Sequence, residues 1–296
     1  MQNVTINVNG QIVGFDEAKV SVFDRGYLYG DSLYEVVRSY NGQFFLLDEH
    51  LKRLEKSSEL CHMTLGQSLN VYRDEIYRTF QVFKTQPENE KCEAYARIIV
   101  SRGIGSIGFG LSSLLSSTQY TIIIREIEAP PPEQYKKGVK LKISERLRND
   151  RRALDPAMKS GNYLNSLLAY LEATAENYED ALLCNAEGHV TEGTTSNIFY
   201  ARRGILATPP LDVGILDGIT RRHILQLAAE LQYPIREVRF PRARLLEADE
   251  VFLTSTIKEV IPVIQIDQTP IGNGAPGPMT RRLHELYRKS LPKRTP

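Results

Sequence analysis

Three consecutive prolines, Pro130, Pro131 and Pro132 in "EAPPPEQYKKG", limit what this chain can fold into more than any other stretch. Proline fixes φ and has no amide hydrogen, so three in a row continue neither a helix nor a central strand. The run divides the 296 residues into a smaller stretch, 1–128, a linker, 129–137, and a larger stretch, 138–296. With 42% hydrophobic residues, each stretch is long enough to bury a core of its own.

The smaller stretch reads as α+β. Asn9-Gly10 in "VTINVNGQIVG" and Asn41-Gly42 in "SLYEVVRSYNGQFFLL" lie between apolar runs, the signal of a tight hairpin. Asp48 is expected to cap a helix whose Leu47, Leu51, Leu54, Ser58 and Cys61 recur at helical spacing. A second helix is expected over "LNVYRDEIYRTFQVF", then strands at "AYARIIVSR" and "QYTIIIREI". The larger stretch alternates strands and helices in α/β fashion. A strand at "VKLKIS" is followed by a helix from about Asn162 to Asn177. Strands at "ALLCN" and "NIFYA", a helix at "ITRRHILQLAAEL", a strand at "IREVRF", the stretch "EVFLTSTIKEVIPVIQI" and a closing helix at "PMTRRLHELYRKS" complete it.

Charge and cysteine usage remove several functional classes. Lys plus Arg number 37 against 36 Asp plus Glu, so no strong field invites nucleic acid or an anionic membrane. The basic run "RLRNDRR" has no interleaved aromatics and reads as a solvated loop. Cys61, Cys92 and Cys184 are far apart and odd in number, against a disulfide framework or thiolate metal site. The histidines show no HExxH spacing, no apolar run has membrane-spanning length, and "MQNVTINVNG" lacks a secretory pattern. A cytoplasmic protein acting on small molecules is expected.

"GIGSIGFG" contains G-x-G-x-x-G at Gly103, Gly105 and Gly108 after a strand, and Glu126 follows at a suggestive distance. This keeps a nicotinamide-dependent oxidoreductase open as an alternative. Against it, the serine-rich "LSSLLSSTQ" is a poor crossover helix. The glycines fit a loop that turns sharply or approaches a pocket closely.

Other residues carry a more specific pattern. Lys159 stands in "AMKSGNYLNSLLA", where polar loop gives way to apolar helix; Glu192 lies in the small-residue segment "VTEGTTSN". Gly218, Ile219 and Thr220 open a helix, and Ser255 and Thr256 end a strand. A helix start with unpaired amides is a ready phosphate site, to which Thr220 and Thr256 add hydroxyls and Arg53 a countercharge. Asp217 is an awkward neighbour for that anion. A lysine, a carboxylate and a phosphate cradle together suggest pyridoxal phosphate. The lysine would carry the cofactor and shuttle a proton, and the carboxylate would keep the pyridine nitrogen protonated.

In order and spacing, "DRGYLYGD", "KSGNYLNSLLA", "EGTTSNIF", "GITRR", "STIKEVIPV" and "GPMTRRL" resemble the fold-type IV pyridoxal-phosphate enzymes. That family includes branched-chain aminotransferases, D-amino acid aminotransferases and aminodeoxychorismate lyases. The resemblance implies a two-domain fold with a small N-terminal substrate-side domain, a larger cofactor domain, and a homodimer or higher homo-oligomer whose partner loops help close each active site. It assigns Lys159 as the Schiff-base lysine, Glu192 as partner of the pyridine nitrogen and Tyr163 as partner of the phenolic oxygen. Arg53, Ile219, Thr220 and Thr256 hold the phosphate, with Thr195, Gly218 and Ser255 completing the cofactor set.

The small domain carries the substrate side. Strand alternation places Tyr34, Val36, Arg38 and Tyr40 on one face, and groups Tyr95 with Arg97 and Ile99. Such a face suits an apolar side chain together with a dicarboxylic co-substrate. Branched-chain enzymes carry an aromatic, glycine and arginine at the positions of Tyr34, Val36 and Arg38; D-amino acid enzymes carry tyrosine, valine and lysine. The chain is a hybrid. Arg97 and "RGIGSIG" resemble the branched-chain group, whereas the D-enzymes' Arg-x-His carboxylate trap would fall at Ile107 and Phe109. With Tyr29 and the Thr256-Ile257 turn added to the substrate set, the resemblance implies transfer from L-branched-chain amino acids to 2-oxoglutarate. A D-amino acid or (R)-amine aminotransferase is the alternative of the same fold, and a cofactor binder without turnover is the non-enzymatic one.

Overall fold

The computed structural model describes residues 3–293. The chain forms two compact units, which divide after Glu128.

The first unit is a six-stranded antiparallel sheet with two helices on one face. Its elements are β1 (Val4–Val8), β2 (Gln11–Val13), α1 (Arg25–Tyr29), β3 (Ser32–Tyr40), β4 (Gln43–Phe44), α2 (Leu47–Leu60), α3 (Leu69–Lys84), β5 (Ala94–Ser101) and β6 (Gln119–Glu126). The strand order is β2-β1-β6-β5-β3-β4. Both Asn-Gly pairs turn as expected, with φ of 51° and 87° at Asn9 and Gly10, and 52° and 80° at Asn41 and Gly42. Two consecutive positive φ values match the strands' twist, which is why Asn and Gly stand there. In β3 and β5, Leu33, Val37, Ala96 and Ile98 join the core made with Leu51, Leu54, Ile76 and Phe80 of α2 and α3. Register pairs Val36 with Arg97 and Arg38 with Tyr95, so the expected substrate residues share the opposite face. Asp48 is not the helix cap. Leu46, at φ 55°, precedes the first helical residue, and Asp48 instead pairs with Arg73 at 2.6 Å.

The glycine motif does not belong to a dinucleotide fold. β5 and β6 are adjacent and antiparallel, with only a short 3-10 turn, Leu111–Ser113, between them. A βαβ crossover would need parallel strands and a full helix. Here the glycines permit close backbone packing: a Cβ on Gly103, at φ 113°, would stand 2.5 Å from Ser117 O, and one on Gly105 2.8 Å from Ser113 O.

The second unit holds α4 (Pro132–Lys137), β7 (Val139–Leu147), α5 (Leu164–Ala175), β8 (Asp180–Cys184), β9 (Val190–Gly193), β10 (Asn197–Arg202) and β11 (Ile205–Thr208). It continues with α6 (Ile219–Glu230), β12 (Ile235–Glu237), α7 (Arg242–Leu246), β13 (Glu250–Ser255), β14 (Glu259–Ile266), β15 (Thr269–Pro270) and α8 (Pro278–Ser290). The sheet runs β12-β11-β10-β13-β14-β7-β8-β9, and β9 pairs back onto β10. Six strands thus close into a barrel, and the closing pair is Glu192 with Asn197. Leu141, Leu182, Val190, Ile198, Leu253 and Ile261 belong to its buried core.

Two boundaries differ from the sequence reading. The proline-rich segment is not a bare linker, because Pro132 begins α4; proline suits a first helical position, where its missing amide hydrogen costs nothing. A contiguous larger domain is also too simple, since Met158–Asn162 clusters with the first unit. The cause is backbone pairing: Tyr34 N donates to Lys159 O (3.0 Å), Gly161 N to Ser32 O (2.8 Å) and Lys159 N to Ser57 Oγ (3.2 Å). No helix among the described residues is long and apolar enough to cross a membrane.

Candidate active site

In the first unit, the main chain of Lys159 is pinned to β3 and α2, so its side chain is presented from a fixed base. Its Nζ lies 4.4 Å from the centre of the Tyr34 ring and 3.4 Å from Tyr34 Oη. The Arg97 guanidinium stacks on the same ring at 4.0 Å. One buried phenol therefore carries both cations, an arrangement the ring quadrupole favours. Arg38 is buried, with its guanidinium 4.5 Å over Tyr40. Tyr95 packs under Arg125 at 4.8 Å, and Val36 is half-buried between Tyr34 and Arg38 along the strand.

Tyr29 belongs to a different neighbourhood. Its hydroxyl accepts from Gly108 N (2.9 Å), and its ring lies 5.2 Å from Phe109. Arg25, buried, clamps the same loop by donating to Gly108 O (3.0 Å), Gly110 O (2.7 Å) and Ser113 Oγ (2.7 Å). Its Nη2 is thus taken up by the loop it shapes. The loop presents Ile107 and Phe109, 76% and 85% exposed.

Arg53 is held by Glu35, donating Nε to Oε1 (2.6 Å) and Nη2 to Oε2 (2.8 Å), while His50 Nδ1 meets Glu35 Oε2 at 2.8 Å. All three side chains are buried. Burial by itself would raise the Glu35 carboxyl, but the Arg53 charge and the hydrogen bonds from Arg53 and His50 outweigh it and hold Glu35 far below the usual carboxylate range. Burial also lowers His50 from its ordinary value. A bidentate carboxylate fixes the plane of the guanidinium, the geometry an anion site needs.

In the second unit, Glu192 is buried at the barrel's closing pair. Arg148 donates Nε to its Oε1 at 3.0 Å and approaches it with Nη2 at 3.0 Å; Asn197 Nδ2 (3.2 Å) and Leu216 N (3.1 Å) donate to Oε2. Four donors thus surround one buried carboxylate. Arg148 comes from the run read as a solvated loop, and that reading is wrong for this residue: its side chain is only 15% exposed. Nothing in the sequence marks it, because its partner lies 44 positions away.

Asn197 also serves the helix start. A Cβ on Gly218 would fall 1.9 Å from Asn197 Oδ1, so only glycine fits beside this amide. Gly218 is the N-cap of α6 and offers no side-chain cap, while Ile219 and Thr220 behind it are buried. Asp217 turns toward Arg222 at 3.5 Å, which offsets its charge near the helix start. Ser255 Oγ accepts from Lys258 N (3.1 Å), closing the tight Thr256–Lys258 turn in which Thr256 and Ile257 are half-buried. Tyr163 and the exposed Thr195 line one cleft of about 490 Å³ with Thr194, Asp180 and Lys258.

These features fit a pyridine ring bearing a phosphate. Gly218 gives the buried start of α6 no side-chain cap, and the Thr254 and Ser196 hydroxyls are among the buried polar atoms that make no hydrogen bond within the described residues. A buried glutamate held by an arginine suits a ring nitrogen that carries a proton. No group of side chains among the described residues could hold a metal ion.

The sequence profile of class IV amino-transferases matches residues 32–266. A putative branched-chain-amino-acid aminotransferase of Methanocaldococcus jannaschii is 36% identical over 283 residues, covering 96% of this chain and 95% of its own. A D-alanine aminotransferase of Bacillus licheniformis is 35% identical over 287 residues, covering 96% and 95%. Among solved structures, a T.th. branched-chain amino acid aminotransferase with pyridoxamine 5′-phosphate superimposes with a TM-score of 0.87 at 33% identity, over 99% of this chain and 95% of that one. Fold and site together define a pyridoxal-phosphate-dependent transaminase. The chain belongs to the class IV aminotransferases, of fold type IV, as its motifs imply.

Proposed function

We propose that the enzyme moves the amino group of L-branched-chain amino acids to 2-oxoglutarate. The observation that carries this reading is the Tyr34 ring shared by Lys159 and Arg97. It sets a cation for a second carboxylate beside the amine that handles the proton, next to a face lined by Val36 and Tyr95. Overall identity does not separate branched-chain from D-alanine relatives, at 36% and 35%; what supports the branched-chain reading is the Arg97 charge beside Lys159.

When bound, the cofactor supplies an aldehyde and an electron-withdrawing ring. Lys159 Nζ carries it and moves the proton from the donor's α-carbon. Glu192, paired with Arg148, would hold a proton on the ring nitrogen, and Tyr163 would orient the phenolic oxygen. The amides of Ile219 and Thr220, the hydroxyls of Thr220 and Thr256, and the Arg53 guanidinium hold the phosphate; Thr195, Gly218 and Ser255 shape the surrounding backbone. The Thr256-Ile257 turn receives the α-carboxylate and Arg97 the distal carboxylate of glutamate. Arg97→Met is expected to raise KM for 2-oxoglutarate and L-glutamate roughly 10- to 100-fold, the worth of a charge-assisted hydrogen bond. The half-reaction with L-leucine should change little. Equal losses for both donors would remove Arg97 from this role.

A second reading, transfer from D-amino acids or (R)-amines, draws on Val36, where bulk stands along the substrate face. The loop argues against it, since Ile107 and Phe109 offer no charge and Arg25 is committed to loop carbonyls.

We further propose that the enzyme works as a homodimer or higher homo-oligomer. Leu164, Leu167 and Leu171 recur along one face of α5 at 65%, 49% and 52% exposure, an apolar stripe that a single chain leaves in water. Sedimentation should show at least a dimer at assay concentration; a fully active monomer would refute this.

A further inference from the structure

We infer that Asp180 and Lys258 are positioning residues that lock the Thr256-Ile257 turn to the segment carrying Glu192. The inference rests on the proposed role of that turn in receiving the substrate's carboxylate.

The turn joins β13 to β14, closed by the pairing of Ser255 with Glu259. Its exit is conformationally costly. Glu259 sits at φ 55°, a left-handed backbone that a side-chain-bearing residue adopts only when its surroundings impose it. Here the imposition comes from α8: the Glu259 carboxylate, fully buried, meets His284 Nε2 and Arg288 Nε, each at 2.9 Å. That anchors one side of the turn.

The other side is anchored by Lys258. Its Nζ reaches Asp180 Oδ2 at 2.6 Å, at the first residue of β8. Asp180 is 1% exposed, and its Oδ1 accepts from Thr194 Oγ1 (2.5 Å) and Ala181 N (2.8 Å). Thr194 stands two residues beyond Glu192 and directly before Thr195. One buried carboxylate therefore ties three separate pieces of chain: the turn, the Glu192–Thr195 segment and the start of β8. The lysine's remaining surface, 28% exposed, opens on the cleft lined by Tyr163 and Thr195.

A surface ion pair would add little, but this one has a buried member. Removing the lysine leaves the Asp180 charge desolvated and the turn held from the α8 side alone. The backbone amides that meet a substrate carboxylate would then lose their fixed aim. Small displacements of groups that meet the carboxylate in both the bound and the reacting state cost affinity far more than they cost kcat or stability.

The test uses the loaded enzyme and an unreactive probe. 3-Methylbutyrate has the branched chain and carboxylate of a valine-like donor but no amino group. Its Kd is read from the cofactor's absorbance at saturating cofactor, beside KM and kcat for L-leucine and the melting temperature. Lys258→Met is expected to raise the Kd for 3-methylbutyrate and the KM for L-leucine together, by about tenfold, with kcat within about threefold. Lys258→Arg should restore both. Should Lys258→Met not fold, Asp180→Asn with Lys258→Met removes both charges and carries the same expectation. A lowered melting temperature with unchanged Kd would make the pair a structural brace only and overturn the inference. If the wild type binds 3-methylbutyrate but does not transaminate L-leucine, the donor assignment fails, and the brace stands when Lys258→Met still raises that Kd. A Kd insensitive to Lys258 sinks the brace whatever the donor.

Discussion

Lys159→Ala is expected to abolish transamination, by roughly 10⁴-fold or more, while the protein folds and melts as the wild type does. The size follows from losing at once the two roles proposed for Lys159, a covalent attachment point and a positioned proton carrier, the second alone being worth about 10²–10⁴-fold. The intact fold follows from how the residue is held. Its N–H and C=O make the bonds to Ser57 and Tyr34, and alanine keeps both. The side chain meets only the Tyr34 ring and hydroxyl among the contacts described above. Borohydride reduction followed by mass spectrometry should attach the cofactor to wild type at Lys159 and leave the variant unmodified. Cofactor fixed elsewhere in an active variant would move the assignment to another lysine.

Glu192→Gln should lose about 10²–10³-fold in kcat and less than about tenfold in cofactor affinity. Electrostatic stabilisation of a charge that develops during reaction is worth that much, and it is absent from the resting complex. Glutamine keeps the shape and can still accept from Leu216 N and Asn197 Nδ2 through its carbonyl oxygen, but it then turns its amide donors toward Arg148. It cannot keep a proton on a ring nitrogen. Arg148→Met should move the same quantities in the same direction by a smaller amount, because the carboxylate survives without its counterion. Parallel losses of rate and cofactor affinity would make Glu192 a structural residue of the barrel's closing pair.

What the sequence made legible was local. Asn9-Gly10 and Asn41-Gly42 demand their turns within two residues, and strand alternation placed Tyr34, Val36, Arg38, Tyr95 and Arg97 on one face. The class of enzyme was legible from motifs in order. What failed depended on distant partners or on competition between neighbours. Arg148 looked like one more charge in a basic run until the barrel brought Glu192 to it. Asp48 has the chemistry of a cap, but the chain enters α2 earlier through Leu46, and Arg73 takes the carboxylate instead. Val190–Gly193 and Ile205–Thr208 are four residues each, too short for periodicity to separate from loop. Asp180 lies in no motif, and the motif "STIKEVIPV" that holds Lys258 and Glu259 does not show what their side chains meet. Their meaning lies in which loops they join.

The donor's handedness is where the account is most exposed. On the proposed reading the opposite hand would need another partner for the α-carboxylate, and the loop of Ile107 and Phe109 brings no charged side chain of its own, with Arg25 committed to loop carbonyls. Initial rates with matched L and D pairs of leucine, valine, alanine and glutamate, plus one chiral amine pair, against 2-oxoglutarate test this directly. L-leucine, L-valine and L-glutamate should exceed their D partners by at least about 100-fold in kcat/KM; faster turnover of the D series or of the (R)-amine would contradict the account and turn attention to Arg38 as the carboxylate site.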